Sequence, residues 1–341
     1  MTVTVVDFFS GCGGTSLGFR NAGMSIIAGI DNDPDAANTY RTNFPEATFF
    51  EEDIRKLKIK DVAAVIPKGN PVLFSGCAPC QPFSKQRRTE QDDDPRRFLL
   101  TEFQRFVVSL KPDYVVVENV PGMQKVEDAG PLKAFIAALQ KHKYDVNYRI
   151  LAAIDYGVPQ VRRRLVLVAA RKTVAVMPQP THGPGGERYA TFRDWASGIP
   201  EISAGGIDKD DPDHAAMKLS PLNLKRILAT AEGRGRESWE DDLLLNCHRS
   251  HKGHSDVYGR LSWDKPASAM TTRCLSYSNG RYGHPEQPRA ISLREAACLQ
   301  TFPRDFRFSG SLLSKGRQVG NAVPPLLAQR IAETILSTLP R

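Results

Sequence analysis

Cys77 and Cys80 stand three residues apart in the run Phe74-Ser75-Gly76-Cys77-Ala78-Pro79-Cys80-Gln81-Pro82. Thiols at this spacing serve three chemistries: half a zinc site, a redox pair, or one nucleophile beside a structural neighbour. Zinc would need a second ligand pair. The candidates, Cys247 with His248 or His251 with His254, lie far along the chain and carry no C-x-x-C of their own. A redox pair normally opens a helix directly, and Pro82 interrupts the turns it would need. A nucleophile asks for one thiol held rigidly at the carboxyl end of a strand, where open α/β sheets place their sites. Pro79 and Pro82 stiffen the backbone on either side of Cys80.

Other polar groups stand at strand ends in the same way. Glu118 and Asn119 follow the apolar run Tyr114-Val115-Val116-Val117, and the helix start that would make them mere caps is a poor one. In Gln160-Val161-Arg162-Arg163-Arg164, strand alternation puts Gln160, Arg162 and Arg164 on one face. That face reads either as a solvated edge or as a clamp for an anion or carbonyl. Phe9-Ser10-Gly11-Cys12-Gly13-Gly14 follows a β-branched run and precedes a helix, which is a nucleotide-type turn. Ser16 stands where a dinucleotide fingerprint would place its third glycine, so a nucleoside without a pyrophosphate fits better. Asp31 ends the second strand, where a carboxylate can accept ribose hydroxyls, and Asp53, further along, could accept from a base amine.

The elements that must position these groups are legible as apolar runs. Strands are expected at Thr2–Asp7, Ser25–Asp31, Pro71–Phe74, Tyr114–Val117 and Leu165–Ala170, with helices between them, the pattern of a parallel sheet. Pro34 sits where the first turn of a helix accepts it. From about Met177 the chain becomes rich in Pro, Gly and Ser, with helical periodicity only at Leu219–Thr230, and Ala322–Leu339 reads as a closing helix. The 341 residues suffice for a large domain and a smaller one. No apolar run approaches the ~20 residues of a membrane span, the N-terminus lacks a signal-peptide pattern, and the six cysteines are scattered. The reading is a reduced, cytosolic protein. A net charge of +8 suits a polyanionic partner such as nucleic acid, and a merely basic surface accounts for it equally well.

These segments together resemble the C5-cytosine DNA methyltransferases of prokaryotic restriction-modification systems. The resemblance runs in order through Phe9–Gly14, Pro79–Ser84, Glu118-Asn119-Val120 and Gln160–Arg164. It continues through Arg260-Leu261, Lys265-Pro266-Ala267, Thr271-Thr272-Arg273, Arg294-Glu295-Ala296-Ala297, Leu299–Pro303 and Gly320–Pro324. It implies an α/β, doubly wound S-adenosylmethionine (SAM)-dependent methyltransferase fold with a smaller inserted target-recognition domain. Residues 1–177 with 311–341 would form the catalytic domain and 178–310 the target-recognition domain.

The resemblance makes Cys80 the nucleophile that adds to cytosine C6 and Glu118 the group that meets N3. Arg164 would stabilise the base's carbonyl oxygen and Arg162 brace the site. It places SAM, which leaves as S-adenosylhomocysteine, at Phe9, Gly11, Gly13, Asp31, Asn32, Asp53, Ile54, Pro79 and Asn321, with no metal. The target base would be flipped from duplex DNA. Ser84, Arg87, Arg88 and Arg96 would belong to a loop that closes on DNA, and Arg249, His251, Lys252 and Arg273 are further candidate contacts. Many members carry glycine or proline before the Pro-Cys pair, and here Cys77 stands two residues before Pro79 as a small apolar filler. A monomer in the bacterial cytoplasm and a cognate restriction endonuclease are further expectations. A tRNA methyltransferase and an inactive DNA-binding homologue remain alternatives at this point.

Overall fold

In a computed structural model, which describes residues 2–78, 99–121, 130–246 and 256–339, the apolar runs form one seven-stranded sheet. Its strands are β1 (Thr4–Phe8), β2 (Ser25–Asp31), β3 (Thr48–Glu51), β4 (Val72–Gly76), β5 (Tyr114–Asn119), β6 (Asp145–Ala152) and β8 (Arg163–Ala170), in the order β3-β2-β1-β4-β5-β8-β6. A short β7 (Gln160–Val161) pairs instead with β9 (Ala267–Ser268). All sheet pairs are parallel except those of β8, which runs against both β5 and β6.

The order reverses between β1 and β4. Right-handed crossovers therefore send α1 (Gly14–Asn21) and α2 (Pro34–Asn43) to one face and α4 (Leu99–Leu110) to the other. The chain leaving β1 and the chain leaving β4 consequently emerge side by side at the switch point, where such sheets bind ligands.

Strand alternation makes the two faces unequal. Val6 and Phe8 on β1, Phe74 on β4, Val115 and Val117 on β5, and Leu165 and Leu167 on β8 join one apolar core with Phe103 and Phe106 of α4. Phe8 packs against Phe74, Phe103 and Phe106 at ring-centroid distances of 5.0–5.2 Å. The intervening side chains point to the face of α1. There Asp7 and Ser75 stand side by side in register, and Glu118 and Arg164 are further polar positions on the same face. On the same face α1 packs against the closing helix Pro325–Leu336: a Cβ on Gly18 would lie 2.2 Å from the Pro325 carbonyl oxygen, so only glycine permits the approach.

The sequence reading missed β6, whose DVNYRILA pattern is mostly half-buried or exposed, as suits a polar sheet edge. It also extended the closing helix back to Ala322. The structure places a separate helix at Leu312–Asn321 and breaks the chain at Pro324, which offers no backbone N–H.

The chain divides into two compact units. Unit 1 comprises Met1–Tyr156, Arg163–Pro180 and Val323–Arg341, and unit 2 comprises Gly157–Arg162 and Thr181–Ala322. Unit 2 is loop-rich. Its helices include α6 (Phe192–Ala196), α7 (Pro221–Leu228) and Leu293–Leu299, and a small core gathers Ile227, Trp239, Leu243, Tyr258 and Tyr277. No helix among the described residues is long and apolar enough to cross a membrane.

Candidate active site

In unit 1 the turn after β1 is built on left-handed backbone, with φ of 56° at Phe9, 52° at Gly11 and 94° at Gly13. Gly13 cannot carry a side chain, because a Cβ would sit 2.4 Å from the Phe44 ring. At Gly11 the space beside the backbone is open, with no atom within 4 Å of a built Cβ. Asp31 fastens this turn: its Oδ2 accepts from the Gly11 amide at 2.9 Å and its Oδ1 from the Asp33 amide at 3.0 Å. Burial pushes the Asp31 carboxyl upward against those two amides. Asp33, not Asp31, caps α2, its Oδ1 accepting from Asp35 and Ala36.

Asp53 lies beyond β3 with both carboxylate oxygens clasped by Arg55, whose Nε is 2.9 and 3.0 Å away, and this hydrogen bonding holds its carboxyl below the ordinary range. Ile54 beside it is buried and Asn32 is exposed. An open glycine turn, fastened by an acid and flanked by a buried aliphatic, fits a nucleoside-bearing cofactor with no pyrophosphate. Arg55 is exposed and Asp53 half-buried, so Arg55 would give way to an amine donor at modest cost.

At the end of β5, Glu118 is 9% exposed and Asn119 fully buried. Arg164 on the antiparallel β8 brings its Nε to 2.7 Å from Glu118 Oε1. The approach is a close ionic contact in which the N–H does not point along a hydrogen-bond axis, since Oε1 makes no directional bond. Arg164 Nη1 donates to the carbonyl of Arg163 at 2.8 Å. Asn119 Nδ2 donates to the Ala78 carbonyl at 3.1 Å and so ties the end of β5 to the chain leaving β4. Cys77 lies in that segment, its Sγ 3.6 Å from Thr15 Oγ1. Desolvation first, and then the charges of Glu118 and Asp7, hold its thiol well above the ordinary range, which suits a filler and not a nucleophile.

Arg162 and Arg164 do not continue one strand face, as alternation alone suggested. The strand is interrupted at Arg162, because Gln160 and Arg162 turn their polar groups to unit 2 carbonyls while Arg164 serves unit 1. Arg162, 2% exposed, donates to the carbonyls of Met270 at 2.8 Å, Gly320 at 3.3 Å and Ala322 at 3.2 Å. Gln160 donates to Gln300 Oε1 at 2.6 Å and accepts from the Met270 amide at 3.1 Å. Gln300 in turn donates to the carbonyls of Val319 and Ala322. These three residues hold the segments Met270–Arg273 and Val319–Ala322 together, leaving Thr271, Thr272, Arg273 and Asn321 exposed.

Pro79, Cys80, Ser84, Arg87, Arg88, Arg96, Arg249, His251 and Lys252 lie outside the described residues. Among the described residues, no group of three or more His, Cys, Asp or Glu is placed to hold a metal. Sequence reading passed over Asp7, fully buried on β1, and used Ser16 only as a missing glycine, whereas its Oγ donates to Asp7 Oδ2 at 2.7 Å. An ionisable residue inside a run of valines was the available signal.

Residues 3–337 match the family model for C-5 cytosine-specific DNA methylases. The chain is 40% identical to the Type II methylase M.HgiDII of Herpetosiphon aurantiacus, over 98% of this chain and 95% of that protein. It is 34% identical to the Type II methyltransferase M1.HphI of Haemophilus parahaemolyticus, over 98% of this chain and 87% of that one. Among solved structures, a prophage-encoded DNA modification methyltransferase from E. coli superposes with a TM-score of 0.77 at 25% identity, covering 99% of each chain.

Proposed function

The chain belongs to the C-5 cytosine-specific DNA methylase family, and on that premise we propose that Cys80, Glu118 and Arg164 methylate a flipped cytosine within a specific duplex sequence through a covalent Cys80–C6 intermediate. The chain is a SAM-dependent DNA cytosine-5 methyltransferase of the Type II restriction-modification kind. The observation that carries the finer reading is the Glu118–Arg164 contact at the end of β5, beside the strand that leads to Cys80.

Cytosine C5 is a weak nucleophile until something adds at C6. Cys80 Sγ forms that bond, and the displaced π electrons move into the ring, where N3 takes up the developing negative charge. Glu118 meets N3 and relieves the charge. Arg164 orients Glu118 and turns its remaining donors to the base's carbonyl oxygen. When bound, SAM supplies a methyl group activated by its sulfonium. C5 then loses its proton to solvent, the electrons of that C–H bond restore the ring, and Cys80 leaves as thiolate.

Phe9, Gly11, Gly13, Asp31, Asn32, Asp53, Ile54, Pro79 and Asn321 are the residues of this chain that would hold SAM. Arg162 serves as a brace for the Thr271–Arg273 and Asn321 loops. Flipping the base costs on the order of a few kcal/mol. Phosphate contacts from Ser84, Arg87, Arg88, Arg96, Arg249, His251, Lys252 and Arg273 would offset it. A net charge of +8 supports that polyanionic partner. The Type II names of the relatives support a cognate endonuclease acting on the same site.

Duplex DNA of mixed sequence carrying 5-fluorocytosine tests the reading. The fluorine cannot leave as the proton does, so wild type with SAM should stall as a covalent adduct and Cys80→Ala should not. Adduct formation by Cys80→Ala, or by wild type on tRNA alone, would overturn the proposal.

A further inference from the structure

Asp7 is an acid with no counter-charge of its own. It has no exposed surface, and its Oδ2 accepts from Ser16 Oγ, which lies 2.8 Å from the Tyr40 hydroxyl. Its Oδ1 has no hydrogen-bond partner, nor has the Oγ of Ser75, the residue in register beside it on β4. Ser75 is close enough for its hydroxyl to moderate the acid, though the two atoms miss hydrogen-bond geometry. The titratable groups facing it are Asp31 on β2, Cys12 in the turn, Tyr40 on α2 and Cys77 after β4, with Glu118 of β5 acting on Cys77. None of these is a cation. Arg20 of α1 acts on Tyr40 but is engaged with the Asn43 carbonyl and Glu46. No ion pair among the described residues involves Asp7 or Asp31.

Asp7, the next-to-last residue of β1, stands just before the turn that begins at Phe9 and opens at Gly11. A charge at that depth feels little screening, so a cation brought to the turn acts on it strongly. SAM carries net positive charge through its sulfonium, and the demethylated product carries none.

We infer that Asp7 is the counter-charge for a cationic cofactor at the Gly11 turn: it is a neutral acid in the free protein, gives its proton to solvent as SAM binds, and regains it once the sulfonium is consumed. The inference rests on the reading that SAM occupies this turn. Asp7 acts through space on the cofactor and is a positioning residue, since nothing places it against the reacting atoms. The electrostatics agree: desolvation raises the Asp7 carboxyl to about 7, so its ionisation is poised for a nearby charge to move it. Discrimination follows without any contact to the methyl group, because ionised Asp7 favours SAM and protonated Asp7 is indifferent to the product.

Calorimetry on the full-length protein without DNA decides this, with SAM or S-adenosylhomocysteine titrated at pH 6.5 in two buffers of different ionisation enthalpy. Wild type should release more than about half a proton per SAM and far less per S-adenosylhomocysteine, whose amino-acid end is the same. SAM affinity should rise about tenfold from pH 6 to pH 8, because only ionised Asp7 favours the cation. Asp7→Asn should bind SAM with neither effect. Should that variant not fold, Ser16→Ala serves. Removing a donor to the carboxylate should move the midpoint of the affinity profile to higher pH. Proton release that survives Asp7→Asn and disappears in Asp31→Asn would assign the proton to Asp31 and overturn the inference. So would SAM binding by wild type with no proton release, or an unmoved midpoint in Ser16→Ala. If no SAM binds at all, the cofactor reading itself falls and the inference falls with it.

Discussion

Arg164 approaches Glu118 diagonally across the antiparallel β5–β8 pair, 2.7 Å from Nε to Oε1, with only 17% and 11% of the two side chains exposed. An acid expected to meet a substrate base is thus held by a cation from the next strand. Arg164→Ala should leave Glu118 enclosed and uncompensated, lowering kcat by roughly 10²-fold or more and destabilising unit 1 by about 1–3 kcal/mol. Arg164→Lys should keep the charge but lose the planar fork, with an intermediate loss. Single-turnover methylation and thermal unfolding measure the two effects separately.

Glu118→Gln should preserve shape and remove the proton-handling group. The expectation is a kcat lower by about 10²–10⁴-fold with SAM affinity unchanged. Equilibrium SAM binding alongside initial rates checks the split. A parallel loss of SAM affinity would count against assigning Glu118 to the base.

Gly320 is fixed by a close approach. A Cβ there would lie 2.0 Å from the Thr271 carbonyl oxygen, on the two segments that Arg162 pins together. Gly320→Ala should cost about 1–3 kcal/mol through forced backbone shifts. Because Arg273 and Asn321 ride on those segments, DNA and SAM affinity should fall together, as titrations of each ligand would show.

Asp7 and His284 should oppose each other in acid. The Asp7 carboxyl is raised from 3.8 to about 7 by burial, so its stabilising share is full below pH 4 and is lost as pH climbs through 7. Burial lowers His284 from 6.5 to about 4, so its share is full above pH 6.5 and is lost as pH falls through 4. Nδ1 of His284 accepts from the amides of Glu286 and Gln287, which requires the neutral ring. Asp7→Asn should therefore make stability rise more steeply with pH between 4 and 6.5, and His284→Asn should make it rise less steeply or fall. Denaturant midpoints at four pH values, without cofactor, would reveal identical slopes if neither group titrates as stated.

Glu295 is buried in a bidentate pair with Arg289, at 2.7 Å to each oxygen, while it also closes the capping box of the helix Leu293–Leu299. Glu295→Ala should strand the fully buried Arg289 and cost about 3–5 kcal/mol. Differential scanning calorimetry should place the loss in unit 2.

Much of this protein is written in local pattern. The boundaries of β2, the proline-started α2 and the glycine turn follow from β-branched runs, a capping Asp33 and left-handed positions, all short-range causes. Glu118, Asp31 and the Arg162–Arg164 stretch were legible as polar groups where apolar strands end, and the order of the motifs carried the family. The edge strand β6 was illegible because a half-solvated strand need not alternate cleanly. What each arginine grips could not be read, since partners distant in sequence are set by folding: Arg162 donates to the carbonyls of Met270 and Gly320, more than 100 residues away, whereas Arg164, two residues on, finds the Glu118 carboxylate. Asp7 shows the division most plainly. The sequence by itself put an acid in a strand of valines, and only the sheet order, by placing Ser75 beside it and no cation near it, decided that it has no counter-charge of its own. Identity travels with the chain, but electrostatic environment is a property of distance, and distance exists only once the chain has folded.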